Sequence, residues 1–304
     1  MIRDWKVILA FASLYIVWGS TFLAALISLD GLPPYLMISL RFLVAGLILY
    51  GWSKWKGESN PDLSTVKAHG FSGILMLVGG TGSVVWGEQY IPSGLAAIIV
   101  AALPIWFILL DRAQWKTYFQ NKLIVTGIIL GFAGIIYLFA FQQSGGGRAV
   151  SSRHMQFFSI ALITAGSVAW AAGSLYSRNI RSASSTTMTV SLQLLAAGLF
   201  SLLLSAVLGE LHGFSWNQVP LKAWLALLYM LLMGSVVTYV AYIWLLTIRP
   251  AVQVGTYAYV NPVIAVLLGW AFAGEQITVR QLISLLAILS GVLLINLPKY
   301  KSAV

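Results

Sequence analysis

The chain contains no cysteine, three histidines and few charges, which make up 9% of its 304 residues. Without cysteine, neither a disulfide framework nor a thiolate metal site can form. His69, His154 and His212 stand far apart and near segment ends. They form neither an HExxH pair nor a cluster, so no metal set is expected. A soluble domain carries about 25% charged residues. With so few charges an ordinary water-facing surface cannot be built, which excludes a soluble enzyme, a disordered chain and a basic nucleic-acid module. Nucleic acid is therefore not an expected partner, despite a net charge of +10. No motif calls for a cofactor. No Walker sequence is present, so ATP-driven action would need a separate subunit.

What the chain has in abundance is apolar residue, at 59%, with a mean hydropathy of +0.88. Runs of about 20 apolar residues are long enough to cross a bilayer. Ten such runs fall near 7–29, 34–52, 68–88, 92–111, 121–141, 155–177, 185–208, 221–246, 250–272 and 276–297. The first is long for a signal-peptide core and reads as a retained span. The runs are continuous rather than alternating, so helices are expected and a transmembrane barrel is not. The expected fold class is an all-α integral membrane protein with ten transmembrane helices. The longest candidate loops, near 53–66, 142–154 and 209–220, leave no room for a soluble catalytic domain.

Charge placement orients these spans. With the N-terminus inside, the inner segments hold Arg3, Lys6, Lys54, Lys56, Lys67, Arg112, Lys116, Lys122, Arg178, Arg181, Arg249, Lys299 and Lys301. The outer segments hold Arg148, Arg153, Lys222 and Arg280. That bias satisfies the positive-inside rule, and an even helix count puts both termini in the cytoplasm. Acidic residues divide evenly, so the positive excess is mainly a topology signal, with some attraction to anionic inner-leaflet lipid.

The sequence also repeats. Pro92 and Pro104 recur as Pro250 and Pro262, and Trp86 as Trp244, all at an offset of 158. Trp18 and Trp170 pair at 152. Residues 1–141 and 155–304 then form two five-helix halves joined by a polar, glycine-rich linker at 142–154. Five is odd, so the halves enter the membrane from opposite sides. Such an inverted repeat is frequent among alternating-access transporters.

The residues Trp18-Gly19-Ser20-Thr21, Arg41-Phe42, Pro92-Ser93-Gly94 and Pro104 resemble the drug/metabolite transporter superfamily. So does Tyr257-Ala258-Tyr259-Val260-Asn261-Pro262-Val263, followed by Gly274-Glu275. Within that superfamily the chain is similar to the YedA-like subgroup of EamA-domain transporters over nearly its whole length, including Glu88-Gln89. The resemblance implies ten helices in two inverted EamA repeats. It also implies a bacterial inner-membrane exporter of amino acids, other metabolites or toxic compounds. One departure stands out. The Gly-Glu between helices nine and ten has no counterpart at Asp111-Arg112-Ala113-Gln114-Trp115, which weakens any symmetric role for Glu275.

Arg41 is the sharpest single feature. It lies roughly 12 Å along the second run, at about 1.5 Å per residue. An arginine at that depth is costly and usually faces the bundle interior. It would bind a substrate carboxylate or pair with Glu88; the alternative is snorkelling to the outer interface. Glu88, at the outer end of the third run, can pair with Arg41, exchange a proton during transport, or stand as a solvated helix-end carboxylate. Trp18, Ser20, Thr21, Trp170, Ser174, Tyr176, Gln193, Tyr239, Tyr242, Tyr257, Tyr259 and Asn261 cluster in helices that form the core in this architecture. Rings with a polar edge can hold an amphipathic solute. Interfacial anchoring is the bland alternative, and it suits Trp5, Trp52, Trp55 and Tyr300. Pro104 and Pro262 lie mid-run and are expected to kink their helices. With Gly79 and Gly80 they are candidate hinges, although close packing also explains the glycines.

The expected function is a secondary transporter of small organic metabolites such as amino acids, moving them outward by alternating access. The expected partners are a small-molecule substrate, the lipid bilayer and protons as the coupling ion, with a monomer or homodimer as the working unit. A channel-like uniporter and a multidrug or cation exporter are the alternatives. An intramembrane enzyme would need a nucleophile or acid/base constellation, and none is visible.

Overall fold

A computed structural model of the chain describes residues 4–140, 153–180, 182–274 and 278–297. All regular structure among them is helical. Numbered in chain order, the long helices are α1 Asp4–Ser28, α2 Pro34–Trp55, α3 Leu63–Gly87, α4 Ser93–Leu110 and α5 Lys122–Ala140. They continue with α6 Arg153–Asn179, α7 Thr186–Val207, α8 Leu221–Ile248, α9 Ala251–Ala273 and α10 Val279–Asn296. Eight of these are long and apolar enough to cross a membrane. In α5 and α10 the apolar stretches are shorter, Lys122–Gly134 and Leu282–Ile295. The linker expected at 142–154 falls outside the described residues over 142–152, as do Glu275, Tyr300 and both chain ends.

The two halves use the same local chemistry. Gly57 follows the end of α2 and Gly209 the end of α7, both with positive φ (82° and 74°). Each glycine turns the chain so that Glu58 N reaches Ser53 O (3.1 Å) and Glu210 N reaches Ser205 O (2.9 Å). A residue without Cβ adopts that left-handed backbone at little cost, and the turn satisfies orphan carbonyls at the helix end. Ser53 and Ser205 are both fully buried.

The halves interleave rather than sit side by side. The most extensive interfaces run between them: α2 with α7, α5 with α10, α3 with α6, and α1 with α8 and α9. Helix α6 packs on α3 and α4 as α1 packs on α8 and α9. Small residues set the crossings. A Cβ at Gly46 would lie 2.9 Å from Leu195, and one at Gly198 would lie 2.8 Å from Leu43. At the α5–α10 crossing the Gly127 and Gly291 backbones touch. In lipid, close backbone approach of this kind drives helix association.

Loops gather at two ends. At one, Glu210 accepts hydrogen bonds from Tyr35 N (3.1 Å) and Leu36 N (2.9 Å), closing the start of α2. Pro33 and Pro34 leave that helix start without a side-chain cap of its own. A carboxylate there also meets the positive end of the helix dipole. Lys222 pairs with Asp30 (2.5 Å) at the same end. At the other end Ser185 caps α7 by accepting from Met188 N (3.1 Å), and it donates to Glu58 (2.7 Å). Asp111 lies there too, beside Arg178. Burial raises its carboxyl above the usual range more than Arg178 lowers it.

Two helices contain wide turns that the sequence did not reveal. Ile74–Gly82 within α3 and Met230–Thr238 within α8 are π-helical, nine residues each. Two other helices are broken. α4 parts at Ala101–Ala102, and α9 at Gly255–Thr256. Pro104 therefore does not kink a continuous helix, as expected from the sequence. It occupies the first turn of the half-helix Leu103–Leu110. Bonds from Ala102 N to Ile99 O and from Ile105 N to Ala102 O tighten the break. The missing N–H of Pro104 then falls where no helical partner is needed. Pro262 does lie inside a helical segment, Tyr257–Ala273.

Candidate functional site

A central cavity of about 100 Å³ lies where α1, α2, α3, α4, α6, α8 and α9 converge. A single water needs at least about 10–15 Å³ on this scale, so the space has room for several waters. Of the nominated residues, Trp18, Thr21, Arg41, Gly80, Trp170, Tyr239, Tyr257 and Asn261 line it. The lining extends from Trp18 to Ala25 on α1 and from Leu77 to Val85 on α3. Both stretches lead toward the end that carries Asp30, Glu210 and Lys222.

Arg41 is 6% exposed and reaches across to α8. Its Nε donates to Ser235 Oγ (2.8 Å), and Nη1 approaches Met230 Sδ (3.7 Å). These contacts replace the pair with Glu88 considered from the sequence. They also exclude snorkelling, because the guanidinium is held between helices. Gly234 makes room for it, since a Cβ there would lie 2.8 Å from Arg41 Nη2. Thus the wide-turn segment of α8 supplies the anchor, the sulfur and the space. The described lining residues include no carboxylate.

An aromatic cluster also borders Gly234. Trp18 meets Tyr257 at 4.9 Å, Tyr242 at 5.1 Å and Trp170 at 5.6 Å between ring centroids. Edge-on and tilted arrangements of this kind suit ring quadrupoles. Both indole edges are used: Trp18 Nε1 donates to Gly234 O (3.1 Å), and Trp170 Nε1 donates to Tyr242 Oη (3.0 Å). Asn261, with its amide nitrogen turned toward α1, donates to Leu14 O (3.2 Å), Tyr15 O (3.0 Å) and Tyr257 O (3.1 Å). It thereby ties the middle of α9 to α1.

Ser174, Tyr242 and Gln193 sit behind the wall rather than on it. Ser174 donates to Trp170 O (2.6 Å) and lies 2.7 Å from Tyr242 Oη. Gln193, fully buried on α7, donates to Ser72 (2.8 Å) and Ser177 (2.9 Å) and accepts from Tyr239 Oη (2.8 Å). This amide joins α3, α6, α7 and α8 between the cavity and the end that carries Glu58 and Ser185. Every one of its polar atoms is used, which is what a buried amide requires.

Others lie elsewhere. Ser20 bonds to Tyr229 Oη (2.6 Å) and not to the cavity. Glu88 is fully buried past the end of α3, which corrects its reading as a solvated helix-end carboxylate, and it does not line the cavity. Tyr259 is half-buried and also off the lining. Tyr176 is 42% exposed and packs edge-on against Phe71 on the outer surface, which corrects its placement in the core. Gly79 and Gly80 are packing positions. A Cβ would lie 2.9 Å from Ala169 at Gly79 and 2.6 Å from Trp170 at Gly80. The sequence reading did not nominate Ser235, Gly234, Met230 or Ser167. Ser167 stands three residues before Trp170 on one helix face, a spacing that the sequence does contain.

The EamA-like transporter family model matches residues 5–140 and 157–297, once in each half. The chain is 36% identical to the uncharacterized inner membrane transporter YedA of Escherichia coli (strain K12), over 96% of this chain and 90% of the relative. It is 23% identical to a Salmonella typhimurium protein named "Probable amino-acid metabolite efflux pump", over 91% and 90% of the two chains. A solved crystal structure shares the fold with a TM-score of 0.66 at 17% identity, covering 96% of this chain and 97% of that one.

Proposed function

Because the chain belongs to the EamA-like transporter family of the drug/metabolite transporter superfamily, and is a multi-pass inner-membrane transporter, we propose that it carries small amphipathic carboxylates outward by alternating access. Amino acids are among them. The observation that carries this reading is Arg41. A guanidinium buried without a counter-charge is strongly unfavourable. Arg41 touches a hydroxyl and a thioether, and the described cavity lining holds no carboxylate. A substrate carboxylate supplies the missing charge in the fork geometry that arginine favours. The aromatic cluster takes the apolar body.

In this reading the chain has ten spans, with α5 and α10 crossing as a tightly packed pair. Residues 1–141 and 155–304 are inverted repeats with both termini in the cytoplasm. The exchanged packing of α1 and α6, and the separation of loops into two ends, support that topology. The cavity leads outward, and the Gln193 hub closes the inner side. Rocking of one repeat against the other would break the hub and admit substrate from within. Export as the net direction rests on the family and on the name of the Salmonella relative. Protons are the proposed coupling ion, and a monomer or homodimer is the working unit.

A thermal-shift screen of the purified protein against amino acids, polyamines and drugs tests the substrate class, because a ligand of the native state raises the midpoint. Hits then go to counterflow in proteoliposomes, with and without a pH gradient. Small carboxylates are expected to raise the midpoint, to show counterflow and to respond to the gradient. Polyamines or hydrophobic cations as the only hits would overturn the substrate class. Flux without counterflow would indicate a channel.

A further inference from the structure

The central cavity pairs one cation with no acidic side chain among its described lining residues. From that imbalance we infer that the site selects by net charge: it prefers a monoanionic carboxylate to the zwitterion built on the same apolar body. The inference rests on the reading of Arg41 as the carboxylate anchor and narrows its substrate class.

The argument is one of charge balance. A carboxylate at Arg41 neutralises the guanidinium, and the occupied cavity is then neutral. A zwitterion makes the same contact but brings an ammonium group into the same cavity. That group needs a counter-charge, and a buried cation without one is disfavoured. The lining offers it hydroxyl lone pairs. Thr21 and Ser167 spend their protons on the carbonyls of Trp18 and Ile163, so their oxygens can accept. Neutral acceptors only partly replace a carboxylate. Ring faces are the other refuge for an ammonium ion. Here Trp18, Trp170, Tyr242 and Tyr257 pack against one another at 4.9–5.9 Å in edge-on and tilted contacts, which covers part of their ring surface. A free amine fares worst, since it meets Arg41 as a like charge with no acidic side chain among the described lining residues to offset it.

Gly234 enters as a positioning residue. It gives Arg41 Nη2 its space and receives Trp18 Nε1 on its carbonyl, so it sets the distance between the cation and the aromatic wall. Shifting that distance should change affinity for the whole series without changing its order.

Three probes with one body and different charges test the inference: 3-phenylpropanoate, L-phenylalanine and phenethylamine. Binding to the purified full-length protein is measured by calorimetry at pH 7. The expected order is 3-phenylpropanoate at least about tenfold tighter than phenylalanine, with phenethylamine unbound. Arg41→Gln should erase the preference and Arg41→Lys should keep it. The conservative variant separates loss of charge from loss of fold. Phenylalanine binding as tightly as 3-phenylpropanoate, or phenethylamine binding tightest, would overturn the charge selection while leaving the cavity as the site. Binding of the acids unaltered by Arg41→Gln would instead overturn Arg41 as the anchor, and the inference with it.

Discussion

The fourth helix of each repeat carries prolines at matching places, yet α4 and α9 are used differently. Both break, but α4 breaks at Ala101–Ala102, directly before Pro104, whereas α9 breaks at Gly255–Thr256, well ahead of Pro262. Their cavity-facing residues differ more. α4 presents Val100 and Leu103, and α9 presents Tyr257 and Asn261. At the repeat offset of 158, Leu103 and Asn261 are counterparts. The repeat therefore preserves the scaffold while the site is built unevenly. One side of the cavity is an apolar wall, and the other is a polar one that grips α1. The third helices make the opposite point. α3 and α8 have both kept a nine-residue wide turn against the cavity. Wide turns recur at functional sites because they shift the side-chain register locally.

Making α9 resemble α4 tests this contrast most severely. Asn261→Leu removes the amide's contacts to the carbonyls of Leu14, Tyr15 and Tyr257, which its two N–H groups share, and so cuts the tie between α9 and α1. At about 1 kcal/mol per N–H group, the loss is about 2 kcal/mol of stability, with transport abolished. Thermal unfolding in detergent and proteoliposome counterflow would record both. The converse change, Leu103→Asn, removes no existing hydrogen bond and should be milder.

Next in size is Gly234→Ala. Its methyl group would meet Arg41 Nη2, so ligand affinity should fall about tenfold, or about 1.4 kcal/mol, while the midpoint moves little. Calorimetry on the folded variant decides this. A fall in midpoint with affinity unchanged would assign Gly234 to packing alone.

The prolines give a smaller, paired effect. Pro104→Ala should change stability by less than about 1 kcal/mol, because a first-turn proline sacrifices no helical bond. Pro262→Ala restores a donor inside a helix, so it should raise the unfolding midpoint and slow transport several-fold. Equal responses from the two would erase the distinction between α4 and α9. Smallest is Ser174→Ala, which removes one support behind Trp170 and should cost about 1 kcal/mol. Its transport should fall less than two-fold.

Much of this was legible in the sequence, and the limits have physical causes. Spans, repeat and Arg41 follow from hydropathy, proline spacing and the cost of a buried charge, which survive without coordinates. Tyr176 was misplaced although the information was present. It lies two residues from buried Ser174, about 200° around the helix, and so must face away. The breaks were less accessible. A proline marks where a donor is lost, not where the helix yields, and in α9 it yields at Gly255–Thr256. The wide turns left no trace, since Ile74–Gly82 and Met230–Thr238 read as ordinary apolar helix. Consequently Arg41 was found, but its partners Ser235 and Met230 were not.

The central claim is that Arg41 is the anchor of a carrier's substrate site. It is tested most directly by counterflow of a thermal-shift-positive carboxylate in proteoliposomes containing Arg41→Ala, with gel filtration to verify the fold. The account predicts a monodisperse variant without counterflow. Counterflow at the wild-type rate would contradict it.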